Sequence, residues 1–388
     1  MSSDLTAWRG RLAGLVPAAI LDDAQAVARH HAAAVWSCLT EPGDGVAGAL
    51  ISEMGAVEAL DVAVRDADTG NAAVDAGRRR WRARWATVDD AFDRARRVRA
   101  SLIVPGSAKW PAAVEDLGIH TPHALWTRGD AEALRRDGSA LALVGARAAT
   151  AYGEHVTAEL ATQLSHRGAS IVSGGAYGID GMAHRACLAA GGVTVAVLAG
   201  GVDRAYPAGH ADLLGRIAGG PGVVVAEVPC GTAPTKWRFL QRNRLIAALS
   251  RATVVVEAGW RSGSLNTAGH AAALGRPLGA VPGPVTSAAS AGCHRLLREY
   301  DARCITSADD AAELYGGTDT SGSMSPDRTD DRTRVLDALS IRSPRTPEDV
   351  ALRAGFAPEE ARGLLAVLEL EGRARRGPDG WRRSASPG

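Results

Sequence analysis

The stretch from residue 141 to residue 201 decides the fold: LALVGARAATAYGEHVTAELATQLSHRGASIVSGGAYGIDGMAHRACLAAGGVTVAVLAGG. Three short apolar runs in it each end in a glycine-rich turn: Leu141–Val144, Ser170–Val172 and Thr194–Leu198. Between these runs, Tyr152–Arg167 and Ile179–Ala190 repeat apolar residues at helical spacing. Strands that alternate with helices of this length predict βαβ units, and therefore a parallel sheet covered on both faces.

The alternation of predicted strands and helices continues after residue 201. Further strands are predicted at Val223–Ala226, Thr253–Val256 and Leu278–Val281, with helices at Asn243–Ser250 and Leu265–Leu274. Residues 101–315 therefore form the predicted α/β core.

The flanking regions read differently from the core. Residues 1–100 predict a helical domain, with helices at Asp22–Leu39, Val46–Ala67 and Arg78–Arg99. Residues 316–331 (GGTDTSGSMSPDRTDD) lack periodicity and predict a flexible linker. Residues 332–388 predict a winged helix, because helices at Arg332–Leu339, Thr346–Ala354 and Pro358–Glu371 precede a basic, glycine-containing tail.

Charge and cysteine content narrow the function classes. Lys and Arg number 44 against 43 Asp and Glu, so any nucleic-acid site must be a local patch. The five cysteines are scattered, which disfavours a disulfide framework or a zinc site. No apolar run is long enough to span a bilayer, and the first ten residues lack secretory-signal character. We therefore expect a cytoplasmic protein with no membrane partner.

Glycine-rich loops follow the predicted strands at the sheet edge where ligands bind in such folds. Their exposed N–H groups and the helix ends behind them suit an anion. The loops are Gly145-Ala146-Arg147, Ser173-Gly174-Gly175, Gly200-Gly201 and Ser262-Gly263-Ser264. Arg147 stands where a dinucleotide fingerprint has its second glycine, and no P-loop motif occurs. A single glycine-rich turn of this kind is an ordinary connection between a strand and a helix. Four of them at successive strand ends favour a ligand-binding site at this edge of the sheet.

The segment Lys236–Arg244 (KWRFLQRNR) carries four cations and two aromatic residues, and no acidic residue lies between Val228 and Val256. Such a patch suits single-stranded nucleic acid, because cations neutralise phosphates while aromatic rings stack on bases. The alternative is a solvated helix start with its aromatic residues packed inward.

A catalytic interpretation is weaker. The acidic residues expected near this edge are Asp180, Asp203, Glu227 and Glu257, of which the first two suit helix capping or bonding to loop N–H groups. No nucleophile elbow occurs, and His184 and His270 lack a clear nucleophile partner. We predict no catalytic residue, no metal and no cofactor.

At these residues the sequence resembles the bacterial DNA-processing protein A family (DprA/Smf). The matching blocks are GARAATAYG at 145–153, SGGAYGID at 173–180, LAGGVDRAYP at 198–207, RFLQRNRLIAALS at 238–250, VVEAGWRSGSLNTA at 255–268 and AVPGPV at 280–285. The helical start and winged-helix end fit the family's three-part layout, in which the first domain is of SAM or helix-hairpin-helix type. The sequence departs from the family pattern at Ala146, Ala208, Gly209 and Asn266.

The resemblance implies an extended Rossmann-like core that binds single-stranded DNA. It further implies a homodimer that protects incoming DNA and helps to load the RecA recombinase during natural transformation. The DNA-contacting residues carried over by motif are Arg147, Ser173, Gly174, Gly175, Lys236, Arg238, Phe239, Arg242, Asn243, Arg244, Ser262, Gly263 and Ser264.

Two alternatives stay open at this stage. One is a nucleotide-processing enzyme related to phosphoribohydrolases, although the glutamate that follows their glycine-rich loop is missing after Ser264. The other is a transcription factor that works through the winged helix, although Glu359, Glu360, Glu369 and Glu371 on its last helix are unfavourable against phosphates.

Overall fold

The computed structural model describes residues 2–65, 69–316 and 331–384. The chain separates into two compact units, Met1–Thr318 and Asp319–Gly388. Most of the predicted linker, residues 317–330, lies outside the described residues. No helix in the described part of the chain combines the length and the apolar character needed to cross a bilayer.

The first unit contains the large sheet. Its strands are β1 Ser101–Ile103, β2 Leu125–Gly129, β3 Ala140–Gly145, β4 Ser170–Ser173, β5 Thr194–Leu198, β6 Val223–Ala226, β7 Ala252–Glu257, β8 Leu278–Ala280 and β9 Arg303–Cys304. Its first seven α-helices are α1 Ser2–Leu12, α2 Ala18–Asp22, α3 Ala24–Leu39, α4 Gly45–Met54, α5 Ala56–Val64, α6 Ala72–Arg82 and α7 Val88–Arg97. The remaining α-helices are α8 Ala151–His166, α9 Ile179–Ala189, α10 Ala211–Gly219, α11 Lys236–Ala248, α12 Ser264–Ala273, α13 Ala291–Glu299 and α14 Ala308–Glu313. Short 3₁₀ helices lie at Trp85–Thr87, Ala112–His120, Ala131–Arg135, Asp137–Ser139 and Ala208–His210.

The strand order is β1-β2-β6-β5-β4-β3-β7-β8-β9. The ladders from β6 to β9 are parallel, which confirms the predicted α/β fold class. The order reverses at β3, so β3 and β7 form the switch point of the sheet. The sequence did not reveal β1 and β2, which extend the sheet antiparallel at one edge. Strand β1 has only three residues, and a 3₁₀ helix rather than the α-helix of a βαβ unit separates the two strands.

The central strands are mainly apolar and are buried along their whole length because helices cover both faces. All residues of β4, β5, β6 and β7 are buried. One face packs with Leu160 and Leu164 of α8, and the other with Leu245 and Ile246 of α11. This burial explains why the strands appear as continuous runs rather than as alternating patterns.

The N-terminal helices share a core with the edge of the sheet. Trp36 of α3 packs edge-on against Trp81 of α6, with ring centroids 5.0 Å apart. Phe92 of α7 meets Trp126 of β2 at 5.8 Å. The helices within residues 1–100 therefore belong to the same compact unit as the sheet. A domain boundary at residue 100 stays a prediction.

Two predicted N-terminal helices are each divided in the structure. The predicted helix Val46–Ala67 is broken at Gly55, whose φ of 86° glycine adopts without steric cost. The predicted helix Arg78–Arg99 is two helices, α6 and α7, joined through the 3₁₀ turn at Trp85–Thr87. Apolar spacing alone did not reveal these breaks.

The second unit is a winged helix, as predicted. It comprises α15 Asp331–Asp337, α16 Pro347–Ala354, α17 Pro358–Leu370 and the hairpin of β10 Ala374–Gly377 with β11 Gly380–Arg383. Thr346 caps α16 by accepting a hydrogen bond from the Asp349 N–H. Val335, Val350, Leu365 and Trp381 form its own small core.

Candidate nucleic-acid interface

A cleft of about 830 Å³ opens at the carboxyl ends of β3 and β7, where the strand order reverses. Among the described residues that line it, four are cationic and one is acidic: Arg147, Lys236, Arg242 and Arg261 against Asp180. Of the thirteen predicted site residues, eight line the cleft: Arg147, Lys236, Phe239, Arg242, Asn243, Ser262, Gly263 and Ser264. The topology therefore gathers loops that are more than one hundred residues apart in the chain.

Helix N-termini supply further positive potential. Helix α11 begins at Lys236, with the Thr235 hydroxyl accepting a hydrogen bond from the Arg238 N–H at 3.2 Å. Helix α12 begins at Ser264, and neither helix has an acidic residue in its first turn. Both termini border the cleft, and the positive end of each helix dipole attracts anions.

The N-terminus of α8, by contrast, already holds an anion from the chain itself. The Glu257 carboxylate accepts hydrogen bonds from the Thr150 N–H at 2.8 Å and the Thr150 hydroxyl at 2.7 Å. A Cβ at Gly153 would lie 2.5 Å from a Glu257 carboxylate oxygen. In dinucleotide-binding folds the helix after the first strand holds the pyrophosphate. Here that position is filled by Glu257.

Arg147 and the basic helix meet directly across the cleft. The Arg147 guanidinium carbon lies 4.7 Å from the centre of the Phe239 ring, and Arg147 is exposed. Tyr206 lies beside the same ring, with centroids 5.6 Å apart. A cation and two mutually tilted aromatic rings thus lie together at the cleft, which is an arrangement suited to a phosphate with an adjacent base.

Arg242 forms the floor of the cleft. It is 6% exposed and donates a hydrogen bond to the Val197 carbonyl at 2.9 Å. Burial lowers its pKa to about 10, although the nearby Asp180 acts in the opposite direction. A Cβ at Gly174 would lie 1.8 Å from an Arg242 nitrogen, so glycine is required there for the guanidinium to pass. Arg242 stays protonated at neutral pH.

Asp180 is a structural acid. Burial raises its pKa, while the Arg242 charge and the N–H groups of Ala176 and Gly174 act in the opposite direction. Its carboxylate therefore holds the loop 174–176, which is the role that the sequence favoured for it. The aspartate sits in the first turn of α9, where its charge also complements the helix dipole.

The serine loop, Ser262-Gly263-Ser264, and Asn243 form another wall of the cleft. The Asn243 side chain donates to the Gly263 carbonyl at 3.3 Å and to the Asn266 side chain at 3.1 Å. Asn266 is one of the departures from the family pattern, and here it ties α12 to α11. The hydroxyls of Ser262 and Ser264 are 2.8 Å apart and pair with each other.

Three predicted residues lie beneath the cleft rather than on its surface. The Ser173 hydroxyl is fully buried and donates to the Leu143 carbonyl at 2.6 Å. Gly174 makes room for Arg242, and the Gly175 carbonyl faces His210 Nδ1 at 2.9 Å. Ser173, Gly174 and Gly175 therefore shape the loop after β4 and are not among the residues that line the cleft.

Two predicted cations point away from the cleft. Arg238 donates two hydrogen bonds to the Glu41 carboxylate, at 2.9 and 2.7 Å. Arg244 is 3% exposed and donates to Glu227 at 2.7 Å. Neither arginine lines the cleft, and neither do their partners Glu41 and Glu227.

Arg261 and Tyr206 line the cleft but are not among the site residues predicted from the sequence. Both were visible in the loops that follow β7 and β5, and Arg261 adjoins the predicted Ser262-Gly263-Ser264. The rule that singled out Arg147, a cation next to a glycine loop at a strand end, would also have found Arg261.

Two family models match this chain. Residues 101–316 match the family model described as DNA recombination-mediator protein A, and residues 320–380 match that of the DprA winged helix domain. A putative DNA processing protein DprA of Mycobacterium tuberculosis is 46% identical over 371 residues, covering 90% of this chain and 94% of that protein. The Smf protein of Escherichia coli is 37% identical over 271 residues, covering 68% and 72%.

Solved structures give the same picture. DprA from Streptococcus pneumoniae superposes with a TM-score of 0.61 at 28% identity, covering 74% of this chain and 97% of that chain. DprA from Helicobacter pylori, whose structure is described in terms of its single-stranded DNA binding mode, superposes with a TM-score of 0.50 at 29% identity. That match covers 55% of this chain and 94% of the other.

Proposed function

Because the chain belongs to the DNA recombination-mediator protein A family, we propose that it binds single-stranded DNA in the switch-point cleft and performs no bond chemistry on it. The observation that carries this proposal is the contact between Arg147 and Phe239, 4.7 Å apart across the cleft. It joins the first glycine loop and the basic helix in one site.

The site chemistry supports an unpaired strand over a duplex. Phe239 and Tyr206 offer ring faces at the cleft, and Trp237 and Trp260 are 56% and 57% exposed in the segments beside it. A base can stack on such a face only when it is free of its partner strand. The four lining cations are then available for the sugar-phosphate backbone.

The eight predicted residues in the lining are proposed to contact DNA, together with Arg261 and Tyr206. Ser173, Gly174 and Gly175 are proposed to set the shape of the cleft floor. Arg238 and Arg244 are proposed to hold α11 in place through their carboxylate partners.

Family membership supports the wider role. We propose that the protein protects incoming single strands and helps to load RecA onto them as a homodimer. The cleft supports this role because it would hold DNA only through phosphate contacts and base stacking. A strand held in this way can be released to RecA without breaking a covalent bond. RecA assembly on labelled poly-dT, followed with and without the protein, tests this: no acceleration of assembly contradicts the loading role.

The nucleotide-processing alternative is disfavoured by Glu257. This buried carboxylate is engaged by Thr150 at the start of α8, so it is not available as a general acid or base. Asn266, which follows the serine loop, is held by Asn243. Release of free base from nucleoside monophosphates by the purified protein would favour the enzyme instead.

The experiment that tests DNA binding is a salt titration of oligo-dT affinity by fluorescence anisotropy. Each neutralised phosphate contributes about −0.7 to the slope of log affinity against log salt. With four lining cations we expect a slope of about −2 to −3. Absence of measurable binding at low salt, or a slope near zero, would overturn the proposal.

A further inference from the structure

The winged-helix unit carries a charge pattern that the cleft does not use. In the β10–β11 hairpin, Arg375 lies directly opposite Arg382. Ala374 and Trp381 of the same hairpin are buried, and side chains alternate between the faces of a strand. Arg375 and Arg382 therefore share the outer face, where two like charges side by side are unfavourable unless an anion lies against them.

Most other arginines of this unit are paired with carboxylates. The pairs are Arg332–Glu371, Arg334–Asp331, Arg353–Asp349, Arg362–Glu348 and Arg383–Asp337. Within residues 331–384, by contrast, no carboxylate oxygen lies within 4.0 Å of the guanidinium groups of Arg375, Arg376 or Arg382. Arg342 also has no ion pair within residues 331–384, so three of the four arginines without one lie on the hairpin, whose acidic residue is Asp379 in the turn.

Helix α17 has the opposite character. Glu359, Glu360 and Glu369 are exposed on it, and its exposed arginine, Arg362, is bound to Glu348. A helix with this surface is repelled by phosphates and is unsuited to insertion in a DNA groove. An anionic partner therefore approaches the hairpin rather than the helix that reads bases in other winged-helix proteins.

The hairpin also lacks a stacking surface. Its aromatic residue, Trp381, is 7% exposed and packs in the core of the unit. Single-strand sites combine cations with exposed rings, whereas a duplex presents its phosphates at regular spacing and needs only cations. A two-stranded ribbon has the width to lie along a groove of a duplex.

We propose that the outer face of the β10–β11 hairpin binds the phosphate backbone of double-stranded DNA through Arg375 and Arg382. This site is separate from the cleft, takes a different form of DNA and reads no base sequence. It goes beyond the proposed single-strand binding, and its failure leaves that proposal untouched.

The test uses the full chain and two charge-matched double variants. R375Q/R382Q removes the hairpin pair, and R353Q/R362Q removes two exposed helix arginines that are bound to carboxylates. Affinity for a 20-base-pair duplex and for oligo-dT is measured across a salt range, and equilibrium unfolding confirms that each variant is folded.

Each neutralised duplex phosphate contributes about −0.9 to the slope of log affinity against log salt. Loss of two such contacts in R375Q/R382Q should therefore flatten that slope by about 1.8. That change corresponds to roughly 60-fold weaker duplex binding at 0.1 M salt. The helix variant should change duplex affinity by less than about threefold, and R375K/R382K should restore most of it, because Lys retains the charge that this sequence-independent term needs.

Three results would overturn the proposal: no duplex binding by the intact chain, an unchanged duplex slope in R375Q/R382Q, or equal losses in the hairpin and helix variants. Oligo-dT affinity reports on the cleft instead. If oligo-dT binding persists while duplex binding is absent, the hairpin proposal fails and the single-strand proposal stands.

Discussion

The two sides of helix α11 carry the same kinds of residue and are put to different use. On the cleft side, Lys236 and Arg242 border open space and Phe239 stacks under Arg147. On the opposite side, Arg238 and Arg244 are neutralised by Glu41 and Glu227. Successive cations along this one helix, only two or four residues apart, thus fall into two groups: Lys236 and Arg242 border the cleft, and Arg238 and Arg244 hold the helix in place.

The difference shows that charge in a sequence is not charge available to a ligand. The loop 41–45 between α3 and α4 lies against the holding side: the Gly43 N–H donates to Glu227 at 3.3 Å, and a Cβ at Gly43 would lie 2.9 Å from the Gln241 side-chain oxygen. The N-terminal helices thereby fix the orientation of the basic helix. A cation within ion-pair distance of a carboxylate, such as Arg238 or Arg244, helps to hold the fold. Arg147, which is exposed at the cleft, is open to phosphate.

The largest expected effect comes from the holding side. Glu227→Ala would leave the buried Arg244 guanidinium without its carboxylate, and breaking a buried ion pair costs about 3–5 kcal/mol. Urea denaturation should show this loss in the free energy of unfolding. A change below about 1 kcal/mol would show that Arg244 does not depend on Glu227.

On the binding side, Phe239→Ala should weaken oligo-dT binding by about 1–3 kcal/mol, because one base loses its stacking face. The salt slope should stay unchanged, since no cation is removed. Anisotropy titrations at several salt concentrations measure both quantities. If the slope changes and the affinity does not, Phe239 is not a stacking residue.

Arg147→Ala should flatten the oligo-dT salt slope by about 0.7 and weaken binding about fivefold at 0.1 M salt, as expected for one phosphate contact. Arg238→Ala is the matched control from the holding side and should leave the slope unchanged, because Glu41 already neutralises Arg238. If the oligo-dT salt slope is the same for Arg147→Ala, Arg238→Ala and the wild type, Arg147 does not contact phosphate and the proposed difference between the two arginines is wrong. Unfolding curves should show little stability loss for Arg147→Ala, since Arg147 is exposed.

The smallest effect concerns Glu41, which is bound by both Arg238 and Arg84. Burial alone would raise the pKa of Glu41, but the hydrogen bonds and charges of Arg238 and Arg84 outweigh it and hold the pKa below its usual value. The carboxylate therefore stabilises the fold above the unfolded pKa of about 4.3, and this contribution is lost as the pH falls through the lower folded value.

Glu41→Gln should accordingly cost up to about 1 kcal/mol at pH 7, the upper end for a partly exposed ion pair. The difference from wild type should shrink as the pH falls below about 4.3. Thermal unfolding at a series of pH values measures it. A difference that is constant from pH 7 to pH 3 would contradict the ion-pair assignment.

Local sequence identified most of the strands and helices of the core, because strands buried on both faces must be apolar and the helices between them must be amphipathic. It failed where a turn interrupts helical spacing, as at Gly55 between α4 and α5. It also failed at β1 and β2, which join the sheet antiparallel and are not part of a repeating βαβ unit.

For the site, the sequence identified the segments but not the direction in which each side chain points. Arg147, Lys236 and Phe239 lie in the cleft as expected, whereas Arg238 was placed in the same set although it binds Glu41, 197 residues away in the chain. Ser173 was expected at the surface, yet it donates to Leu143 in the neighbouring strand. Each of these outcomes depends on a partner that is distant in sequence.

By itself the amino-acid sequence determined the α/β fold class, the glycine loops at the strand ends and the local excess of cations, because these depend on residue type and spacing. Only the tertiary structure decided which cations meet a carboxylate and which face an open cleft. The physical reason is that an ion pair forms between groups a few ångströms apart in space, and the sheet order and the docking of loop 41–45 set that separation.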